Sequence, residues 1–279
     1  MTGAPPLVVS SYTLGTEVEF GERVRAAAAA GYDGIGLRAE NYWAAGLDDA
    51  AMLAIAEQHG VRILEVEYLT GWGTAADRDE AQQAKERTVF HMARAFGVRH
   101  LNAGLLEKLP LDVVGEEFAA LCERAGPDLT VALEFMPYSG VPDLATAWRI
   151  VQGYRTPASS STAGTGRGPG SRSPTSMTCL PERIISVQLC DVRAEPMEPL
   201  RAESLGHRLP PGQGYGDTVG MVRALTDHGV TPAVMTVEVI SDELVARGVD
   251  VAAQVDCGRG PRGPRIRRDS PDVAQLESP

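Results

Sequence analysis

Paired cysteines, histidine, positive charge and long apolar runs are all scarce in this chain, and each shortage closes off a class of function. The four cysteines, Cys122, Cys179, Cys190 and Cys257, form neither a CxxC pair nor a dense framework. They suit a reducing cytoplasm and point to no structural zinc. The five histidines are scattered. His59 and His228 each precede a helix-stopping glycine, where they answer the helix dipole. His91 falls in mid-helix and His100 at a strand start, neither a good ligand position. A formal net charge of −11 argues against a nucleic-acid partner, which needs a basic face. No apolar run approaches the ~18 residues of a membrane span, and the opening MTGAPPLVV has no basic-then-apolar signal. The expectation is a cytoplasmic protein without a membrane partner.

What is present is ordinary globular composition, 43% hydrophobic and 23% charged over 279 residues, arranged in a recurring phrase. An amphipathic helix ends at a glycine, a short polar step follows, and an apolar strand comes next. Residues 8–14 (VVSSYTL) read as a first strand and 17–30 as a helix stopped by Gly31. Strands are expected at 34–38, 62–68, 100–103 and 131–135, alternating with helices at 49–59, 80–96 and 112–124. Five such units with short connections imply a parallel sheet with right-handed crossovers. The length suits one α/β barrel of ~250 residues.

After a helix at 143–152 the phrase breaks. Residues 154–178, YRTPASSSTAGTGRGPGSRSPTSMT, contain no Val, Ile, Leu or Phe. Such a composition buries too little apolar surface to offset the entropy of ordering, so it reads as loop. Its Arg, Gly, Pro and Ser content is what GC-rich coding DNA yields out of frame, and we read it as out-of-frame or divergent sequence in place of a strand. The phrase resumes with a strand at 184–190, a helix at 217–228, a strand at 234–239 and a helix at 242–254. The fold expected is an α/β TIM (β/α)8-type barrel, one domain over 1–256. Its sixth strand region is replaced by a Gly/Ser/Pro/Arg-rich loop at 154–178, and a disordered tail covers 257–279. An open sheet edge exposes unpaired backbone groups and favours association, which places a homo-oligomer among the expectations.

Three polar residues stand inside apolar strand-like runs, where burial without a partner is costly. They are Glu134 in VALEFMP, Gln188 in IISVQLCDV and Glu238 in MTVEV. Chemistry in (β/α) barrels sits where strands end, and Glu134 runs directly into the turn residues Pro137, Ser139 and Gly140. A shared Mg²⁺ or Mn²⁺ would satisfy all three oxygen donors. Taken singly, each glutamate is better explained by an arginine partner and Gln188 by a backbone one; taken as three strand-end groups on one barrel rim, they favour the metal. His207 and Arg208 precede the Pro-Gly-rich LPPGQGYGD, and an arginine there suits a carboxylate or phosphate. A solvated loop arginine is the other reading. No GK[ST] follows, so this is not a phosphate-binding P-loop. Trp72 and Trp43, after strands three and two, either wall a pocket or pack.

Together VALEFMP, ISVQLCD, HRLPPGQG and VEVIS resemble the xylose isomerase-like barrels of the sugar phosphate isomerase/epimerase superfamily. The resemblance implies a divalent metal held by a Glu after strand five, an Asp after strand six, a His or Gln on strand seven and a Glu on strand eight. By position these are Glu134, no residue, Gln188 and Glu238, so the ion is expected to be weakly bound or lost. The implied chemistry is proton abstraction beside a carbonyl of a sugar or polyol-like substrate, with Glu134 and Glu238 catalytic and His207, Arg208 and Trp72 around the substrate. Isomerase or epimerase is the first expectation. The Gln, with an Arg before a PGxG loop, also resembles 3-dehydroshikimate dehydratases, a lyase alternative. An inactive barrel remnant is the third, and a histidine-rich three-zinc apurinic endonuclease fits poorly with five histidines.

Overall fold

A computed structural model describes residues 4–73, 78–152, 161–163 and 180–255, with backbone pairs at 259–260 and 263–264. Eight parallel strands form one sheet: β1 (Leu7–Val9), β2 (Gly34–Leu37), β3 (Arg62–Leu69), β4 (His100–Gly104), β5 (Thr130–Glu134), β6 (Ser161–Ala163), β7 (Ser186–Leu189) and β8 (Val234–Val237). β1 pairs with both β2 and β8, and the strand order runs β5-β4-β3-β2-β1-β8-β7-β6. That is a (β/α) barrel whose ladder is interrupted at one seam, between β5 and β6.

Strands β2 to β5, β7 and β8 form as expected because they are buried along nearly their whole length, with apolar residues interleaved with buried polar ones such as Glu65, Asn102 and Thr236. β2, β4 and β7 are buried throughout, as parallel strands covered by helices must be. Leu101, Leu133, Val66 and Val237 are fully buried, and each such side chain contributes roughly 1.5–3 kcal/mol of burial. The principal outer helices are α2 (Phe20–Ala29), α4 (Asp49–Gln58), α5 (Glu80–Ala95), α6 (Leu111–Ala125), α7 (Leu144–Val151) and α9 (Thr218–Asp227). Phe20, Val24 and Ala27 of α2 turn inward, as their spacing requires.

Four features differ from the sequence expectation. Residues 8–14 are not one strand: after β1 the chain turns into α1 (Ser11–Leu14), because the Ser10 hydroxyl accepts from the Tyr12 N–H at 3.1 Å and caps a helical turn. Short helices α3 (Ala39–Ala45) and α8 (Leu200–Gly206) fill stretches to which the sequence pattern assigns no element. The helix expected at 242–254 is two, α10 (Asp242–Ala246) and α11 (Val249–Ala253), split at Gly248 with φ +94°. Finally, a strand does occur between 154 and 178. The backbone of β6 pairs with β7 at Ser161↔Val187, Thr162↔Gln188 and Ala163↔Leu189. The neighbouring strand's free edge supplies the partners that local composition does not. The rest of 154–178 lies outside the described residues. In the tail, two-residue strands at 259–260 and 263–264 pair antiparallel, and the remainder lies outside as well. Among the described residues no helix is long and apolar enough to cross a membrane.

Candidate active site

The C-terminal ends of the strands surround a cavity of about 220 Å³. Glu134 reaches it as the last residue of β5, and Glu238 as the first residue after β8. Arg208 enters from the segment after α8. Three tyrosines line the same space: Tyr12 from α1, Tyr68 from β3 and Tyr138 from the turn after β5. Arg38, Lys85 and Arg201 complete its charged lining.

Backbone geometry makes room for these groups. Gly104 ends β4 opposite Glu134 in register. A Cβ there would collide with the hydroxyl of Tyr68, so the glycine lets that ring lie over the strand end. The Tyr68 hydroxyl meets the Met136 sulfur at 3.3 Å. Asp191, just past β7, fastens the Pro-Gly loop. Its Oδ1 accepts from the N–H groups of Val192 and Gly216 at 2.8 and 2.6 Å, and its Oδ2 from Gly212 at 3.0 Å. The Arg208 N–H donates to the Ile240 carbonyl at 2.9 Å, tying that segment to the end of β8. Arg208 is buried; its Nη2 donates to Ser204 Oγ at 2.7 Å, and its Nη1 has no hydrogen-bond partner among the described residues.

A second set of polar groups lies deeper in the barrel. Glu65 and Glu67 alternate along β3 and are fully buried. Glu65 accepts from Asn102 Nδ2 at 2.7 Å and Thr236 Oγ1 at 2.6 Å. Glu67 Oε1 accepts from Ser10 Oγ at 2.9 Å and the Ser11 N–H at 3.2 Å, while its Oε2 has no partner among the described residues. Both carboxylates face Gly36 on β2. An ideal Cβ there would lie 2.5 Å from Glu67 Oε1 and 3.6 Å from Glu65 Oε2. Gly36 is thus the space that two acidic side chains occupy.

The electrostatics follow from this crowding. Burial, then the charge of Glu65, pushes the Glu67 carboxyl up to about 7, against the pull of its Ser10 and Ser11 bonds. Glu238 is raised well above the usual carboxylate range by burial and then by Glu134, Glu67 and Glu65, with Arg208 opposing. Its side chain keeps a partly accessible edge on the cavity although protein packs around it, so burial dominates. Burial raises Tyr68 and Tyr138 too, with Glu134 the next cause for each. Burial also lifts the Cys190 thiol to about 11, which keeps it protonated and a poor nucleophile.

Of the residues singled out from sequence, Glu134, Glu238 and Arg208 come together in the cavity. Gln188 pairs in register with Thr236, two residues below Glu238. It is buried, and its Oε1 has no partner among the described residues. His207 is not in the cavity lining; it forms a backbone bridge to Ser241. Trp72 lies wholly in the core, its Nε1 donating to the Gly104 carbonyl at 2.8 Å and its ring edge-on to Phe118. Trp43 is exposed. Sequence reasoning passed over Glu65 and Glu67, although LEVEYL carries the same polar-in-apolar signal as Glu134. It also missed Tyr12, Tyr68 and Arg38, marked only by their places near strand ends. Among the described residues no three His, Cys, Asp or Glu side chains gather as a metal cage, a set of residue types that leaves out Gln188.

Comparison with known proteins bears on the fold. No match to a curated protein sequence was found. Among solved structures, a xylose isomerase-like TIM barrel/4-hydroxyphenylpyruvate dioxygenase fusion protein superposes with TM-score 0.78 at 17% identity, over 90% of this chain. The chain spans 41% of that fusion's length. The IolI protein, solved with a bound zinc atom, gives TM-score 0.76 at 19% identity, covering 90% of this chain and 94% of its own. A D-psicose 3-epimerase from Clostridium cellulolyticum, solved with D-tagatose, gives 0.63 at 11%, covering 89% and 96%. At these identities the likeness is one of fold. The sequence profile of the xylose isomerase-like TIM barrel family matches residues 24–259, and the chain belongs to that family.

Proposed function

We propose that this protein is a divalent-metal-dependent isomerase or epimerase acting on a sugar or sugar-like ketone. The observation that carries the reading is the meeting of Glu134, Glu238 and Arg208, from three separate segments, in one cavity at the strands' C-terminal ends. A cavity of about 220 Å³ is below the ~300–1,000 Å³ of pockets for drug-sized ligands, and suits a small polyol.

The donor set fits a hard cation. Glu134 and Glu238 offer carboxylate oxygens, and Gln188 offers a buried amide oxygen without a partner among the described residues. Asp191 is engaged by three backbone N–H groups, so these three would hold the ion, with Mg²⁺ or Mn²⁺ favoured by all-oxygen ligation. When bound, the ion polarises the substrate carbonyl. One glutamate takes the proton from the carbon beside that carbonyl, leaving an enediolate, and the other returns a proton. Return to the neighbouring carbon isomerises; return to the opposite face epimerises. Tyr68 and Tyr138, held neutral by burial and by Glu134, keep their hydroxyls as donors beside the oxygen where charge develops.

The test is proton wash-in. Purified protein with Mg²⁺ or Mn²⁺ is incubated in D₂O with a panel of ketoses and aldoses and followed by NMR. We expect loss of the proton next to the carbonyl, an isomer or epimer as product, and arrest by a chelator. Conversion of 3-dehydroshikimate with expulsion of water would move the chain to the lyase reading. No exchange on any substrate, together with no metal uptake, would leave the inactive barrel.

A further inference from the structure

A second cavity lies at the opposite end of the barrel. It surrounds the first residues of β3, β4 and β8 and has a volume of about 720 Å³, within the ~300–1,000 Å³ of small-molecule pockets. Its walls are mainly apolar: Leu53 of α4, Ile63 and Leu64 of β3, Phe96 after α5, and Val98. Leu53 is 41% exposed, and Leu64 and Phe96 are half-buried, so the described residues leave this surface open. Arg62 at the start of β3 and Arg99 just before β4 also line it. They come from one repeated phrase, Gly60-Val61-Arg62 and Gly97-Val98-Arg99. In each the glycine turns the chain out of a helix, with φ +68° and +70°, and the valine is buried. The corresponding place before β2 is held by Asp33, whose Oδ2 accepts from the Leu7 N–H at 2.7 Å. Neither arginine side chain has such a partner: among the described residues they make no hydrogen bond or ion pair, and Glu57, the acidic member of the lining, pairs with neither. The ring of His100, 4% exposed, forms part of the wall. Its Nε2 stands 3.6 Å from Glu65 Oε1, beyond hydrogen-bond reach, and has no partner among the described residues.

Each feature is unfavourable while water alone fills the space. Apolar surface facing water forgoes about 25 cal/mol per Å², and a buried nitrogen without a partner is costly. The N-terminal face of a (β/α) barrel ordinarily serves stability, yet the two arginines make no polar contact that would serve it. A wholly apolar ligand would leave the arginines unanswered, and a small inorganic anion would leave the apolar wall wet. A molecule with an apolar body and an acidic head answers both. The body lies against Leu53, Leu64 and Phe96, and the carboxylate accepts from the guanidinium N–H groups. Two arginines against Glu57 set the sign of the head. We propose that this cavity is a second ligand site, separate from the one at the strands' C-terminal ends, for a small carboxylic acid with an aromatic or branched apolar body. The inference does not depend on the isomerase reading.

Binding to the full chain tests it. Three probes are titrated by calorimetry: 3-phenylpropionate, 3-phenylpropan-1-ol with the same body and no charge, and propionate with the same head and no ring. We expect the aromatic acid to bind at about 1 mM or tighter, and about tenfold or more above each of the other two. Arg62→Met and Arg99→Met, both at exposed positions, should each weaken the acid several-fold and leave the alcohol unchanged. Leu53→Glu, which sets a like charge on the apolar wall, should weaken the acid at least as much. Arg201→Met, at the opposite mouth, should change nothing. In NMR the imidazole signals of His100 should move during the titration while those of His207, bridged to Ser241 beyond β8, stay in place. Equal affinity for the three probes, no measurable binding of the acid, or indifference to both Arg62→Met and Arg99→Met would overturn the proposal. Loss of the acid in Arg201→Met alone would also overturn it, by moving the acid to the other cavity. So would a dimer in solution that Leu53→Glu splits, which would give this surface to a second copy of the chain.

Discussion

In the deeper layer of the barrel both oxygens of Glu65 are engaged, by Asn102 and Thr236, and Asn102 in turn accepts from Ser186 Oγ at 3.1 Å. His100 approaches Glu65 at 3.6 Å from below. Nearer the rim, Glu67 Oε2, Arg38 Nε and Arg208 Nη1 are buried with no hydrogen-bond partner among the described residues, as are Gln188 Oε1 at the level of Thr236 and His100 Nε2 at the start of β4. The same residue types are thus used in two ways within one barrel. Where polar groups satisfy one another they rigidify the core. Where they do not, each carries a desolvation cost of about 1–3 kcal/mol, and two of these groups, on Arg38 and Arg208, line the cavity. The contrast locates function at the rim and structure below it.

The sharpest way to break that contrast is to remove the rim carboxylates one at a time. Glu238→Gln and Glu134→Gln are each expected to lower metal-dependent proton exchange by about 10²–10⁴-fold, the usual worth of a positioned acid or base. Melting temperature should hold or rise, since a carboxylate among like charges has been neutralised. Exchange rates within a factor of a few of wild type in either variant would show that chemistry does not use that residue.

The lower layer should answer in the opposite sense. Asn102→Ala deletes the donor to Glu65 Oε1 and the acceptor of Ser186 Oγ, leaving a buried charge short of a bond. We expect a loss of about 2–4 kcal/mol in urea unfolding, with metal-dependent proton exchange of the folded protein unchanged. A variant as stable as wild type, or one that loses exchange with its stability intact, would dissolve the distinction between the two layers.

The sequence shows the frame of this arrangement better than its contents, for a physical reason. Strands buried on both faces and helices stopped by glycine leave a period that survives without tertiary context, so β2 to β5, β7 and β8 stand within a few residues of expectation. Short elements hold no such period. α1 exists because Ser10 caps it, and β6 because β7 offers an unpaired edge. The split at Gly248 is a local signal that the amphipathic pattern of 242–254 overrode. At the site, Glu134 and Glu238 stand out because a charge in an apolar strand is conspicuous. Arg38, Tyr12 and Lys85 come from segments where polar residues are unremarkable, and only closure of the barrel brings them together. Trp72, a pocket wall by sequence position, packs in the core instead because Phe118 of α6 covers it.

Glu67 lies between the two layers and gives the finest test. Its Oε1 is bonded like the deeper groups and its Oε2 is unpaired like the rim. Its carboxyl is raised from 4.5 to about 7, chiefly by burial and then by Glu65. Between those two pH values the unfolded chain has released this proton while the folded chain still holds it. The folded state therefore binds more protons, and stability falls as pH rises through the window, levelling off above about pH 7. Glu67→Gln keeps an oxygen for Ser10 and Ser11 but carries no charge, so it should match wild type near pH 4.5. It should then become progressively more stable than wild type, by on the order of 2–3 kcal/mol above pH 7, taking about 1.4 kcal/mol per pH unit as the ceiling. Subtracting the two denaturation curves at each pH cancels the other titrating groups, apart from the relief that Glu238 feels when Glu67 loses its charge. A difference that stays flat from about pH 5 to 8 would mean that Glu67 is already ionised and paired at the lower end. It would then belong with Glu65 in the satisfied layer, and the boundary between structure and function would lie one residue closer to the rim.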